Sequence, residues 1–127
     1  MMYDFGDGLV PAHKHSNGGG WVADSAYVSD SAYVGPEALI SGKAQVYGEA
    51  RVCGEALVEE KARVYGRADV YGEARVYGKA KVCGEAWVCG KALVCGKALV
   101  CGEAWVSGEA QIYGEALVYG EYEGEEQ

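Results

Sequence analysis

From residue 26 onward an alanine falls at every sixth position, without a miss, as far as Ala116, and Val or Ile stands two places after each. Val46-Tyr47-Gly48-Glu49-Ala50-Arg51 is followed by Val52-Cys53-Gly54-Glu55-Ala56-Leu57, and the pattern continues to Leu117. Glycine stands two places after the aliphatic residue from Gly42 to Gly120, with one exception, Glu60. A helix cannot use this rhythm, because positions two and then four apart sweep around its turn of about 3.6 residues. In an extended strand, by contrast, Ala and Val two apart share a face. Each unit therefore reads as a short strand with Ala and Val inward and a corner at glycine, which adopts unusual φ values at no steric cost. A unit this small cannot bury its face alone and must stack on copies of itself.

Short strands joined by corners close most simply into a triangle, so three units predict a coil of about 18 residues. Stacked parallel coils lie ~4.8 Å apart, which makes the repeat a rod ~25 Å long. The aliphatic positions from Val28 to Val118 then fill the axis, each worth roughly 1.5–3 kcal/mol when buried. Ordering a residue costs about 1–2 kcal/mol, so a core this narrow depends on its ladder and on well-made ends. The expected fold is all-β, a triangular parallel β-helix (a β-solenoid). Residues 1–21 form an irregular N-terminal cap, 22–120 the rod and 121–127 an acidic tail expected to fray, with Tyr122 placed to cover the last coil.

The repeat resembles that of the hexapeptide-repeat proteins, over roughly residues 22–118. More narrowly, Gly-Glu-Ala-Arg-Val-Tyr and the run Asn17-Gly18-Gly19-Gly20-Trp21-Val22-Ala23-Asp24 resemble small phage and prophage hexapeptide proteins of unassigned activity. The resemblance implies a left-handed coil and an accessory protein acting in a host cytoplasm, one that occupies a host factor or sequesters a small anionic signal. Many left-handed β-helices are acyltransferases and some are zinc carbonic anhydrases, which implies trimers with histidines at the subunit seams. This chain has no histidine after His15 and no insertion within the repeat, and its glycine follows the aliphatic residue by two places where acyltransferase repeats carry it immediately after. The expectation is a binding protein, not an enzyme, with no cofactor.

Composition narrows the classes further. A net charge of −8 disfavours direct nucleic-acid binding and suits a basic partner or plain solubility. No apolar run approaches the ~20 residues a membrane helix needs, and the opening residues lack a signal sequence, so a cytoplasmic location is expected. Cys53, Cys83, Cys89, Cys95 and Cys101 all follow Val in the outward position. Neighbours six apart fall on different faces, so no zinc site converges, and reduced surface thiols are expected. His13 and His15 sit in loop-like sequence as cap residues, with a ligand or acid-base role as the sharper alternative. The early corners Asp24, Asp30 and Pro36 replace glycine, Asp being tolerant of left-handed backbone.

Aligning the chain by coils exposes its surface. One corner reads Ser25, Lys43, Lys61, Lys79, Lys97, Glu115; the next Ser31, Glu49, Arg67, Glu85, Glu103, Glu121; the third Glu37, Glu55, Glu73, Lys91, Glu109. Like charges stacked one strand apart repel, so segregating the lysines carries a small cost. Two electrostatic readings follow: acidic edges offered to a basic protein as a mimic of nucleic acid, or a lysine edge that captures a small phosphorylated ligand. The outward positions also place Trp87 above Trp105 on one face and Leu99 above Leu117 on another. Exposed apolar residues gathered in the last coils mark an interface, and self-association as a dimer or trimer is expected there.

Overall fold

The computed structural model describes the backbone of residues 1–124 and the side chains of residues 1–120. The chain is a β-solenoid with three flat faces, each a sheet of parallel strands. Their register is one coil: Val64 pairs with Val46 below and Val82 above, Val70 with Val52 and Val88, Val76 with Val58 and Val94. Those partners stand 18 residues apart, the same separation that links the corners of Glu60 and Gly78. The strands are short, most of them a dipeptide such as Arg63–Val64 or Leu99–Val100. Alternation inside each dipeptide does what the period demands, and Val52, Val58, Val64, Val70, Val76, Val82, Val88 and Val94 are completely buried. The alanines line the remaining interior; only at the ends do Ala26, Val28 and Ala116 become partly exposed. Among the described residues no helix is long and apolar enough to cross a membrane.

The corners are tight turns in which the alanine N–H returns to the residue before glycine, as Ala86 N to the Cys83 carbonyl at 3.3 Å. The first central residue has φ near +70°, the value at Gly48 and Gly78, and such a turn favours glycine there. Stacking imposes a second demand. A Cβ on Gly84 would lie 2.6 Å from the backbone nitrogen of Gly102 in the coil above. Each corner is also stitched to the next, the residue after glycine donating its N–H to the corner carbonyl one coil on, as Glu85 N to Gly102 O at 2.7 Å. The first coil solves the corner differently. Asp24 and Asp30 do not take left-handed backbone, because Glu60 is the one described non-glycine residue with positive φ. There the Ser25 and Ser31 hydroxyls donate to the Gly42 and Gly48 carbonyls. A side chain thus supplies the donor that the backbone supplies in later coils.

The cap is not irregular. Strands β1 (Met2–Asp4) and β2 (Leu9–Lys14) form an antiparallel hairpin, and β2 pairs antiparallel with β3 (Trp21–Ala23), the first strand of one face. The edge of the first coil acts as a template for this segment, which has no period of its own to betray a strand. Pro11 lacks an N–H, but its carbonyl still accepts from Asp24 N at 2.9 Å. The run Asn17 to Gly20 closes a second face, with Val34 N donating to Asn17 O and Gly20 N donating to Val34 O, each at 3.0 Å. Only glycine passes so close: a Cβ on Gly18 would stand 2.1 Å from the Val34 carbonyl oxygen. At the other end the ladder does not fray at 121. Glu121–Gly124 runs parallel to Trp105–Gly108 and extends that sheet. The expected covering role of Tyr122, and residues 125–127, lie outside what the side-chain coordinates describe.

Candidate ligand-binding corner

Lys43, Lys61, Lys79 and Lys97 follow the corner position in successive coils, and their backbone N–H groups are fixed to the carbonyls of Glu60, Gly78, Gly96 and Gly114 at 2.7–2.9 Å. The stack is therefore rigid at its base, while the side chains of all four are exposed. A hollow of about 440 Å³ runs along it, lined by Gly42, Lys43, Glu60, Lys61, Gly78 and Lys79. A second hollow continues from Lys79 past Lys81 and Lys97 to Leu99 and Leu117. The two hollows meet at Lys79 and are bordered by five lysines, with Glu115, Leu99 and Leu117 at the far flank.

At this corner four cations stack with no ion pair among the described residues. Three arginines elsewhere sit against carboxylates: Arg67 reaches Glu49 at 3.3 Å and Glu85 at 3.8 Å, Arg51 reaches Asp69 at 3.5 Å and Arg75 reaches Glu59 at 3.8 Å. No lysine takes part in an ion pair among the described residues. The groove also contains the one departure from the corner rule. Glu60 holds φ of +62°, a conformation that costs a side-chain-bearing residue about 1–2 kcal/mol. Its carboxylate accepts from the Gly78 backbone N–H at 2.9 Å. The N–H groups of Gly42, Glu60 and Gly96 make no backbone hydrogen bond among the described residues. A carboxylate oxygen of the chain itself is therefore already received by an amide of this corner. Strained backbone of this kind concentrates at functional positions.

The other sequence-selected residues are placed as the register requires, but they do not join this groove. Glu49, Arg67, Glu85 and Glu103 form the second corner, where Arg67 occupies two of the three carboxylates. Glu37, Glu55, Glu73 and Glu109 belong to the third, where no ion pair occurs among the described residues. Trp87 pairs with Trp105 on one sheet and Leu99 with Leu117 on another, so the apolar residues divide between two faces. Lys81 was not singled out by the corner alignment, because it sits on the flat face; only the fold shows that it borders the groove.

Both histidines are tied to neighbouring segments of the cap and first coil. His15 is buried and donates from Nε2 to the Ala32 carbonyl at 2.8 Å, which Asn17 also reaches at 3.2 Å. His13 Nδ1 meets Asp24 Oδ1 at 2.7 Å across the hairpin. All five cysteines are free. Register stacks Cys83 beneath Cys101, between Tyr65 and Tyr119. The neighbouring Cys83 thiol, with burial, pushes the Tyr65 phenol up to about 12. Burial, followed by donation to Cys89, does the same for Tyr71, and burial raises the thiols of Cys53 and Cys83. Among the described residues no three metal-ligating side chains converge. Comparison of the chain with protein-family models, with curated proteins and with solved structures gives no match.

Proposed function

We propose that the protein is a non-enzymatic binding rod that captures a small anionic ligand, phosphorylated or polycarboxylate, along the lysine corner. The observation that carries this reading is the unpaired stack Lys43, Lys61, Lys79 and Lys97 over a groove, in a chain where Arg51, Arg67 and Arg75 are matched to carboxylates. Four like charges one strand apart are an electrostatic cost that an anion removes. Corner amides add donors of the kind that receive phosphate in backbone anion sites. The competing reading, an acidic surface that mimics nucleic acid, is weakened at the second corner. Glu49 and Glu85 are already engaged by Arg67.

The test uses inorganic tripolyphosphate and titration calorimetry on the full chain. The doubly reversed variant Lys61→Glu with Lys79→Glu is expected to lose binding. Glu85→Lys with Glu103→Lys is expected to keep or strengthen it. Glu60→Gln removes the carboxylate charge that an incoming anion meets at the Gly78 amide, and it is expected to tighten binding. Affinity should fall as salt rises, since exposed charges are screened beyond ~8 Å at physiological ionic strength. Unchanged affinity in the lysine variant, with its fold intact, overturns the proposal.

A further inference from the structure

The second corner carries a site of opposite chemistry. Trp87 and Trp105 stand on adjacent strands, with ring centroids 5.7 Å apart and planes at 76°. They remain 44% and 43% exposed, unusually open for residues of this size. The two rings are walls of a hollow of about 410 Å³ whose remaining lining is Arg67, Glu85, Glu103 and Ala104. Two near-perpendicular indoles and two carboxylates therefore share one space with a single cation, Arg67, which is drawn toward Glu49 and Glu85.

Cations on aromatic faces are a device this chain already uses. Lys14 Nζ lies 5.5 Å from the Trp21 ring centre, and the Arg75 guanidinium lies 6.0 Å from that of Tyr77. Trp87 and Trp105 receive no such cation from the chain among the described residues. Glu103 has no ion-pair partner there either, and Glu85 has only the Arg67 contact at 3.8 Å. The negative ring faces and the carboxylates point to a positive ligand, and the shape selects its type. A flat sugar ring lies against one indole only when the second stands at 76° to the first, whereas a globular cation touches both. A primary ammonium is strongly hydrated and needs acceptors for three N–H bonds. An alkylated ammonium is weakly hydrated, presents methyl groups to both rings and keeps its charge, which is why aromatic cages select it.

We propose that the Trp87–Trp105 hollow binds a small quaternary ammonium solute, with Glu103 and Glu85 supplying the counter-charge. This site stands on a different corner from the lysine groove, and neither depends on the other. The test is titration of the full chain with choline and with its neutral carbon isostere 3,3-dimethylbutan-1-ol, followed by tryptophan fluorescence and calorimetry. Choline is expected to bind about tenfold more tightly than the isostere. Trp105→Ala and Glu103→Gln should each weaken choline several-fold, while the fold stays intact because both side chains lie outside the buried core. Lys61→Glu with Lys79→Glu should leave choline binding unchanged. Equal binding of the isostere, or choline binding that survives Trp105→Ala, overturns the site. Binding of a trimethyl-lysine peptide without binding of choline overturns the small-solute assignment.

Discussion

At the scale of single residues the decisive positions are those on the axis. Val76 is completely buried between Val58 and Val94, with no polar partner for a charge. Val76→Asp should therefore abolish folding at neutral pH, because an unpaired buried carboxylate costs as much as a small domain's entire stability of about 5–15 kcal/mol. Circular dichroism and size exclusion of the variant check this; a cooperative, native-like Asp variant would contradict the inward assignment. The tyrosine columns make a second residue-level prediction. Tyr65 and Tyr71 are held up at about 12 in the fold, against about 10 for a free tyrosine. The neutral phenol is the form the fold favours, so this contribution is complete below pH 10 and lost as pH rises toward 12. Thermal unfolding is expected at lower temperature at pH 11 than at pH 8, and spectroscopic titration should show tyrosines ionising late. Titration of every tyrosine near pH 10 would contradict the influence of Cys83 on Tyr65 and of burial on Tyr71.

At the scale of the strand-and-corner unit, two separate demands on glycine can be pulled apart. Gly84 and Gly114 share φ of +68°, but a Cβ on Gly84 would strike Gly102 whereas one on Gly114 meets nothing within 4 Å. Gly114→Ala is expected to cost about 1–2 kcal/mol through backbone strain alone. Gly84→Ala should cost clearly more, because the coil above must move. Urea unfolding of the two variants reads the difference, and equal losses would contradict the close stacking. This unit was also the most legible part of the sequence. Ala and Val spaced two and then four apart admit one periodic structure, and glycine marks its corner. The capping hairpin was not legible, because β2 pairs with the edge of β3 by backbone bonds that leave no periodic signature. The corners at Asp24 and Asp30 misled for a related reason. Aspartate tolerates left-handed backbone, but here the turns close without it and serine hydroxyls make the bond to the next coil. Lys43, Lys61, Lys79 and Lys97 were readable as a column; the groove, Lys81 and the strained Glu60 carboxylate on Gly78 required three dimensions.

At the scale of the whole molecule, the solenoid turns a linear repeat into three corners with different electrostatics. The overall charge is −8, so the long-range field repels anions, and any capture must come from the local lysine groove with its exposed amides. Its position on a rigid ladder means that a ligand is met by preplaced donors, without a loop to close. The most direct test of this claim is amide chemical-shift mapping as tripolyphosphate is added to the labelled full chain. The shifts are expected to concentrate at Gly42, Lys43, Glu60, Lys61, Gly78, Lys79 and Lys97, with Glu55, Glu73 and Glu109 of the third corner unmoved. Saturating shifts centred on another corner or on the cap, or no shifts at all, would contradict the lysine corner as the binding site.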